Sequence, residues 1–161
     1  MSRICVLGTH HMYQEDVCRK SYLRTLCDLI DIHAVELVAE EAKADSNTHA
    51  RRAVDILKSQ GKSIDWIGIE IEREEREYIP DRNPLGIGTF VDLDFYMTRE
   101  WIWVARVARR SKNSTLVICG LAHTLSLAEK FQSIRFDVET DVFLDKSDEN
   151  LMKQAPTDCD G

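Results

Sequence analysis

At 161 residues, with 43% hydrophobic and 30% charged side chains, the chain has the size and composition of one globular domain, large enough to bury a core without disulfide or metal staples. A formal net charge of -7 argues against a nucleic-acid partner, which needs Lys and Arg massed on one face. No apolar run approaches the roughly 20 residues of a membrane span, and Ile4-Cys5-Val6-Leu7 follows the N-terminus with no long apolar leader, so the expectation is a cytoplasmic protein with no membrane partner. Cys5, Cys18, Cys27, Cys119 and Cys159 are odd in number and form no Cys-x-x-Cys pair, which reads as reduced thiols, mostly packed as small hydrophobes.

In chain order, residues 3–9 form a short apolar run stopped by Gly8 and read as a buried strand. Residues 13–31 read as helical, with Leu23, Leu26, Cys27 and Ile30 at i, i+3, i+4 and i+7, one face of a helix. Residues 34–39 read as a second strand ending in Glu40-Glu41. A second stripe of Ala50, Ala53, Val54 and Leu57 predicts a helix over 46–60, with Asp45 or Ser46 as its cap and Gly61 as its stop. Residues 64–71 read as a third strand, and three strands separated by two helices predict βαβ units in a parallel sheet.

Residues 72–90 break the rhythm. They open on Glu72-Arg73-Glu74-Glu75-Arg76-Glu77 and run through Pro80, Pro84, Gly86 and Gly88, a loop long enough to suggest a lid over a site. A long helix follows over 91–110, carrying Tyr96, Trp101, Trp103, Val104 and Val107. Its tryptophans read as packing, its exposed side as a candidate homodimer surface, and the cluster Arg106, Arg109, Arg110 and Lys112 as a solvated helix end favoured by the macrodipole. Residues 114–119 are continuously apolar, as in a strand covered on both faces. A helix over 124–132 and an alternating edge strand over 136–144 complete a single α/β domain of residues 1–145, a mostly parallel sheet flanked by helices. Residues 146–161 are polar and read as a disordered tail.

Two elements repeat. Gly8-Thr9-His10-His11 ends the first strand and Gly120-Leu121-Ala122-His123 the fourth. In a parallel sheet all carboxyl ends share one edge, where ligands of open α/β sheets bind. Four such ends then present His10 and His11, Glu40 and Glu41, Glu70 and Glu72, and His123. Two imidazoles with one or two carboxylates suit Mn²⁺, Fe²⁺, Co²⁺ or Zn²⁺, and each glycine would let the backbone turn sharply beside a ligand. The ordinary alternatives are a hydrogen-bonded histidine at a strand end and solvated acids opening a helix. Glu70, between Ile69 and Ile71, is more telling, since an acid in a buried run needs a partner. His33 and His49 read as structural. Alternation puts His10 opposite His11, which makes it a supporting residue.

This ordered set resembles the TIKI/TraB group, related to ChaN and the erythromycin esterases. The corresponding pieces are Gly8-Thr9-His10-His11, Glu40-Glu41, Arg99 with Met97 and Ala105 nearby, and Gly120-Leu121-Ala122-His123, spread over residues 4–131. The resemblance implies an α/β fold with a site at the strand ends. In some members it implies divalent-metal-dependent hydrolysis, in others an esterase without an obvious metal, and in ChaN an association with haem.

The expectation is a small hydrolase acting on a small-molecule or peptide substrate, with a divalent metal (Mn, Fe, Co or Zn) as cofactor. His11, His123, Glu41 and Glu70 are its candidate metal ligands. Glu40, Glu41, Arg99 and His10 are its candidate catalytic residues, with Glu41 accepting a proton and Arg99 holding the oxyanion. In a metal-free version the histidines act as general bases. The rival expectations are a non-catalytic module binding a small ligand or haem in the same cleft, and an interaction domain using Trp101, Trp103 and the acidic loop.

Overall fold

A computed structural model describes residues 2–15, 20–72, 75 and 93–143. The strands are β1 (Arg3–Thr9), β2 (Leu37–Glu40), β3 (Asp65–Gly68), β4 (Ser114–Gly120) and β5 (Asp137–Val142). The helices are α1 (His11–Glu15), α2 (Lys20–Ile32), α3 (His49–Ser59), α4 (Leu93–Arg110) and α5 (Thr124–Ser133), with a single 3₁₀ turn, Leu121–His123, between β4 and α5. All pairings are parallel, in the order β3-β2-β4-β1-β5, as the strand–helix alternation predicts. The long loop, except Glu72 and Glu75, and the tail lie outside the described residues, as do Cys18 and Cys159.

Alternation along each strand divides the core in two. Cys5, Leu7, Val38, Leu116 and Ile118 face Tyr22, Leu26 and Ile30 of α2 and Ala50, Ala53, Val54 and Leu57 of α3. Ile4, Val6, Ala39, Val117 and Cys119 face Trp103, Val104 and Val107 of α4 and Leu127, Ala128 and Phe131 of α5. Each fully buried large side chain contributes about 1.5–3 kcal/mol. The α3 stripe is the one its sequence predicts. On α2 the buried line is Tyr22, Leu26 and Ile30, while Leu23 and Cys27 are half-buried against it, so the helix is rotated from the expected face. Thr48, not Asp45 or Ser46, caps α3 by accepting the Arg51 N–H at 3.2 Å.

The chain runs from β1 through β2 to β3 with α2 and α3 on one face, then reverses. Crossovers of one hand require the helices to change face when the direction changes, and α4 and α5 accordingly cover the other side. Strand β4 drops between β1 and β2. Its exit leads to α5, whereas the neighbouring exits of β1 and β2 lead to α1 and α3. A crevice must open where adjacent strand ends diverge.

The ends are tied to one another by backbone hydrogen bonds. Glu41 N–H donates to Ile118 O at 2.8 Å, Ile69 N–H to Glu40 O at 2.8 Å, and Glu70 N–H to Ala42 O at 3.2 Å. This close lacing explains Gly68, where an added Cβ would stand 2.4 Å from Ala42 O and 2.7 Å from the Lys43 carbonyl carbon. Gly68→Ala is therefore expected to destabilise the protein by about 1–3 kcal/mol, read as a fall of about 2–4 °C in Tm per kcal/mol. An unchanged melting curve would mean that the β2 and β3 ends are not in this contact.

Candidate functional site

A cleft of about 380 Å³ opens at the carboxyl edge of the sheet, and His11, Glu41, Glu70, Arg99 and His123 all line it. At its centre is the Glu41 carboxylate, 3% exposed. Its Oε2 accepts the Gly120 N–H at 2.8 Å, and its Oε1 accepts from an Arg99 terminal nitrogen at 2.9 Å. His11 Nε2 lies 3.9 Å and His123 Nε2 4.0 Å from that same Oε1.

Arg99 reaches the cleft from α4 and binds two acids. Besides Glu41, it bonds both oxygens of Glu70, with Nε donating to Oε1 at 3.1 Å. Breaking such a mostly buried pair costs about 3–5 kcal/mol, because an uncompensated charge is left behind. The guanidinium also lies over the Trp103 ring at 4.4 Å, and the same ring makes a T-shaped contact with His123 at 5.1 Å. Trp103 is fully buried, so the packing expected of it also forms the floor beneath two site residues.

Both histidines are held from behind. His11 Nδ1 is 3.4 Å from Gln14 Oε1, and His123 Nδ1 is 2.6 Å from Glu100 Oε1. A carboxylate can only accept, so His123 Nδ1 donates to Glu100, and the Nε2 atoms of both rings face the Glu41 carboxylate in the cleft. Behind His123, Glu100 Oε2 also accepts from Lys130 Nζ at 2.7 Å and Ser126 Oγ at 2.5 Å. Burial pushes the Glu100 carboxyl up, but Lys130, Ser126 and His123 together outweigh it and hold it below the usual range.

The glycines of the two motifs have a different task from the one their sequence suggests. Gly120 has φ -60°, and Gly61 is the glycine with positive φ among the described residues. What the site needs is room. A Cβ on Gly120 would stand 2.8 Å from His11 Nε2, and one on Gly8 would stand 2.2 Å from Thr124 Oγ1. Each motif clears space for the chain that follows the other.

Two candidates do not line the cleft. His10 packs edge-on against Tyr13 at 5.6 Å. Glu40 turns inward from its strand and is fully buried, accepting from Thr48 Oγ1 at 2.5 Å and Trp66 Nε1 at 2.9 Å. His49 is buried, in edge contact with Tyr22, and His33 lies near Glu139 at 4.0 Å. Arg106 departs from its reading as a solvated cation, since it is half-buried and donates to the carbonyls of Ile69 and Glu70 at 3.1 and 2.6 Å. The Cys119 thiol, next to Gly120, is pushed up to about 12, first by burial and then by the Glu41 charge. It is no nucleophile at neutral pH.

Glu100, Lys130, Ser126 and Gln14 were not singled out by the sequence. One signal was available. Glu100 precedes Trp103, Val104 and Val107 at helical spacing, which puts an acid on the buried stripe of α4. Among the described residues no three His, Cys, Asp or Glu side chains already close around a metal position, and no helix is long and apolar enough to cross a membrane. No protein-family model matches the chain, and comparison with curated proteins and with solved structures finds no match.

Burial raises the Glu40 carboxyl from 4.5 to about 7, against the hydrogen bonds from Thr48 and Trp66. The folded state keeps a proton that the unfolded chain releases between these values. The resulting stability is full below about pH 4.5 and is lost as pH rises through about 7, a change of about 3 kcal/mol. Glu40→Gln should lack this descent, so urea unfolding from about pH 5 to about pH 8 should show the two proteins diverging. Parallel stability profiles would contradict a buried, proton-holding Glu40.

Proposed function

We propose that this chain is a small hydrolase whose cleft activates water between His11, Glu41 and His123. The observation that carries the reading is the convergence of two imidazole Nε2 atoms on one carboxylate oxygen, each about 4 Å from it. One water at about 2.8 Å from each of two such atoms spans that gap. The water donates to an imidazole, which takes its proton as general base. Glu41 draws the remaining hydrogen and orients the attacking lone pair. Arg99, fixed by Glu41 and Glu70, presents its positive charge to the oxyanion that develops on the substrate. His11, with 64% of its side chain exposed, stands on the open side of the cleft, whereas His123 is buried on the closed side.

The donor set also suits a divalent ion in kind. His11, Glu41 and His123 would hold it, and a carboxylate behind the rear nitrogen of His123 is the usual support of a metal-ligating histidine. Arg99 already supplies positive charge to Glu41, so an ion would have to draw the three ligands together beside it. When bound, it would supply a water of lowered pKa. The resemblance to the TIKI/TraB group supports both versions, because that group joins metal-dependent hydrolases to esterases without an obvious metal. A second reading, a partner or second-copy surface, is favoured by Met97 and Trp101, which are one turn apart on α4 and 47% and 43% exposed.

The test is turnover of a panel of acyl esters and amides by the purified chain, with and without added Mn²⁺, Fe²⁺, Co²⁺ or Zn²⁺. Glu41→Gln and His123→Ala should each lower kcat/KM by about 10²–10⁴-fold, and unchanged turnover in both would contradict the proposal. Elemental analysis of wild type and His11→Ala separates the two versions. Metal lost with His11 supports the ion, and negligible metal in a protein that turns over supports the water alone.

A further inference from the structure

Behind His123, between α4 and α5, the protein buries a cation that the shape of the cleft does not require. Lys130 is 6% exposed and Glu100 3%, and full burial of such residues is rare unless they are paired. Two apolar side chains would close the interface between these helices as well. The polar set is instead continuous, since Lys130 Nζ donates to Glu100 Oε2 at 2.7 Å and to Ser126 Oγ at 2.6 Å, and Ser126 Oγ lies 2.5 Å from Glu100 Oε2. The other carboxylate oxygen, Oε1, meets His123 Nδ1 at 2.6 Å.

We infer that Glu100, Lys130 and Ser126 form a positioning relay that holds His123 in its Nδ1–H tautomer and so keeps Nε2 an acceptor in the cleft. With Lys130 and Ser126 gathered on Oε2, Glu100 is fixed as a carboxylate that can only accept, and a neutral imidazole facing it must place its one proton on Nδ1. Turning the imidazole over would put Cδ2 where Nδ1 stands and forfeit the 2.6 Å hydrogen bond to Glu100, so the ring keeps this orientation. The inference rests on the cleft using Nε2 as an acceptor, but its test needs neither a substrate nor a metal.

Glu100→Gln keeps the volume and reverses the polarity. Lys130 and Ser126 donate to the amide oxygen, so the NH₂ group turns to His123 and donates to Nδ1, and the imidazole proton must move to Nε2. Long-range ¹H–¹⁵N spectra of the full chain, ¹⁵N-labelled at histidine and assigned with a His123→Gln variant, read the tautomer directly. The expected result is the Nδ1–H pattern in wild type and the Nε2–H pattern in Glu100→Gln. An Nε2–H pattern in wild type, or the same pattern in both proteins, overturns the relay. Should Glu100→Gln fail to fold around an unpaired Lys130, Glu100→Gln/Lys130→Met removes both charges. There the single Nδ1–H pattern should be lost, and its retention as in wild type overturns the inference. Failure of the hydrolase reading alone would leave the wild-type pattern and its reversal intact.

Discussion

Arg99 is the constraint around which the cleft is arranged. Two carboxylates, Glu41 and Glu70, leave neighbouring strand ends and lie almost out of water. Side by side and unpaired they would repel each other and lose hydration, a cost of several kcal/mol per ion. One guanidinium from α4 bonds both and stacks on Trp103. Its planar fork can serve two acids at once, which a lysine ammonium would do less well. Glu41 is thereby oriented with one oxygen on the Gly120 N–H and the other toward the two histidines.

The topology delivers these residues. Because β4 lies between β1 and β2, the exits of β1 and β4 are adjacent, and His11 and His123, far apart in sequence, both approach the same Glu41 oxygen. Glu41 comes from the next strand over, and Glu70 from the end of the one beyond. The helices fill in the rest. α4 sends Arg99 forward into the cleft and turns Glu100 back toward α5, so one step of sequence serves both the front and the back of the site.

The strands and helices were legible because buried parallel strands are continuous apolar runs and the helices carry stripes at 3.6 spacing. The site was legible in part. His11, Glu41, Glu70 and His123 follow from assuming that strand ends share an edge, and Arg99 from the family resemblance. Alternation also made His11 rather than His10 the lead residue, but both members of each pair stayed among the candidates. Glu40 and Glu41, and His10 and His11, differ in whether they line the cleft, and strand register settles which does. The Glu100–Lys130 pair was hidden for another reason. Its members are 30 positions apart, and each reads locally as surface charge on a helix. The glycines misled in kind, since crowding by a distant motif leaves no trace beside them.

A double-mutant cycle between Arg99 and Glu41, using Arg99→Met and Glu41→Gln and read by urea unfolding, tests the central claim that one guanidinium organises the site. The account predicts a coupling energy at the upper end of the 0.5–3 kcal/mol range typical of contacting residues. Additive effects, with coupling near zero, would contradict it.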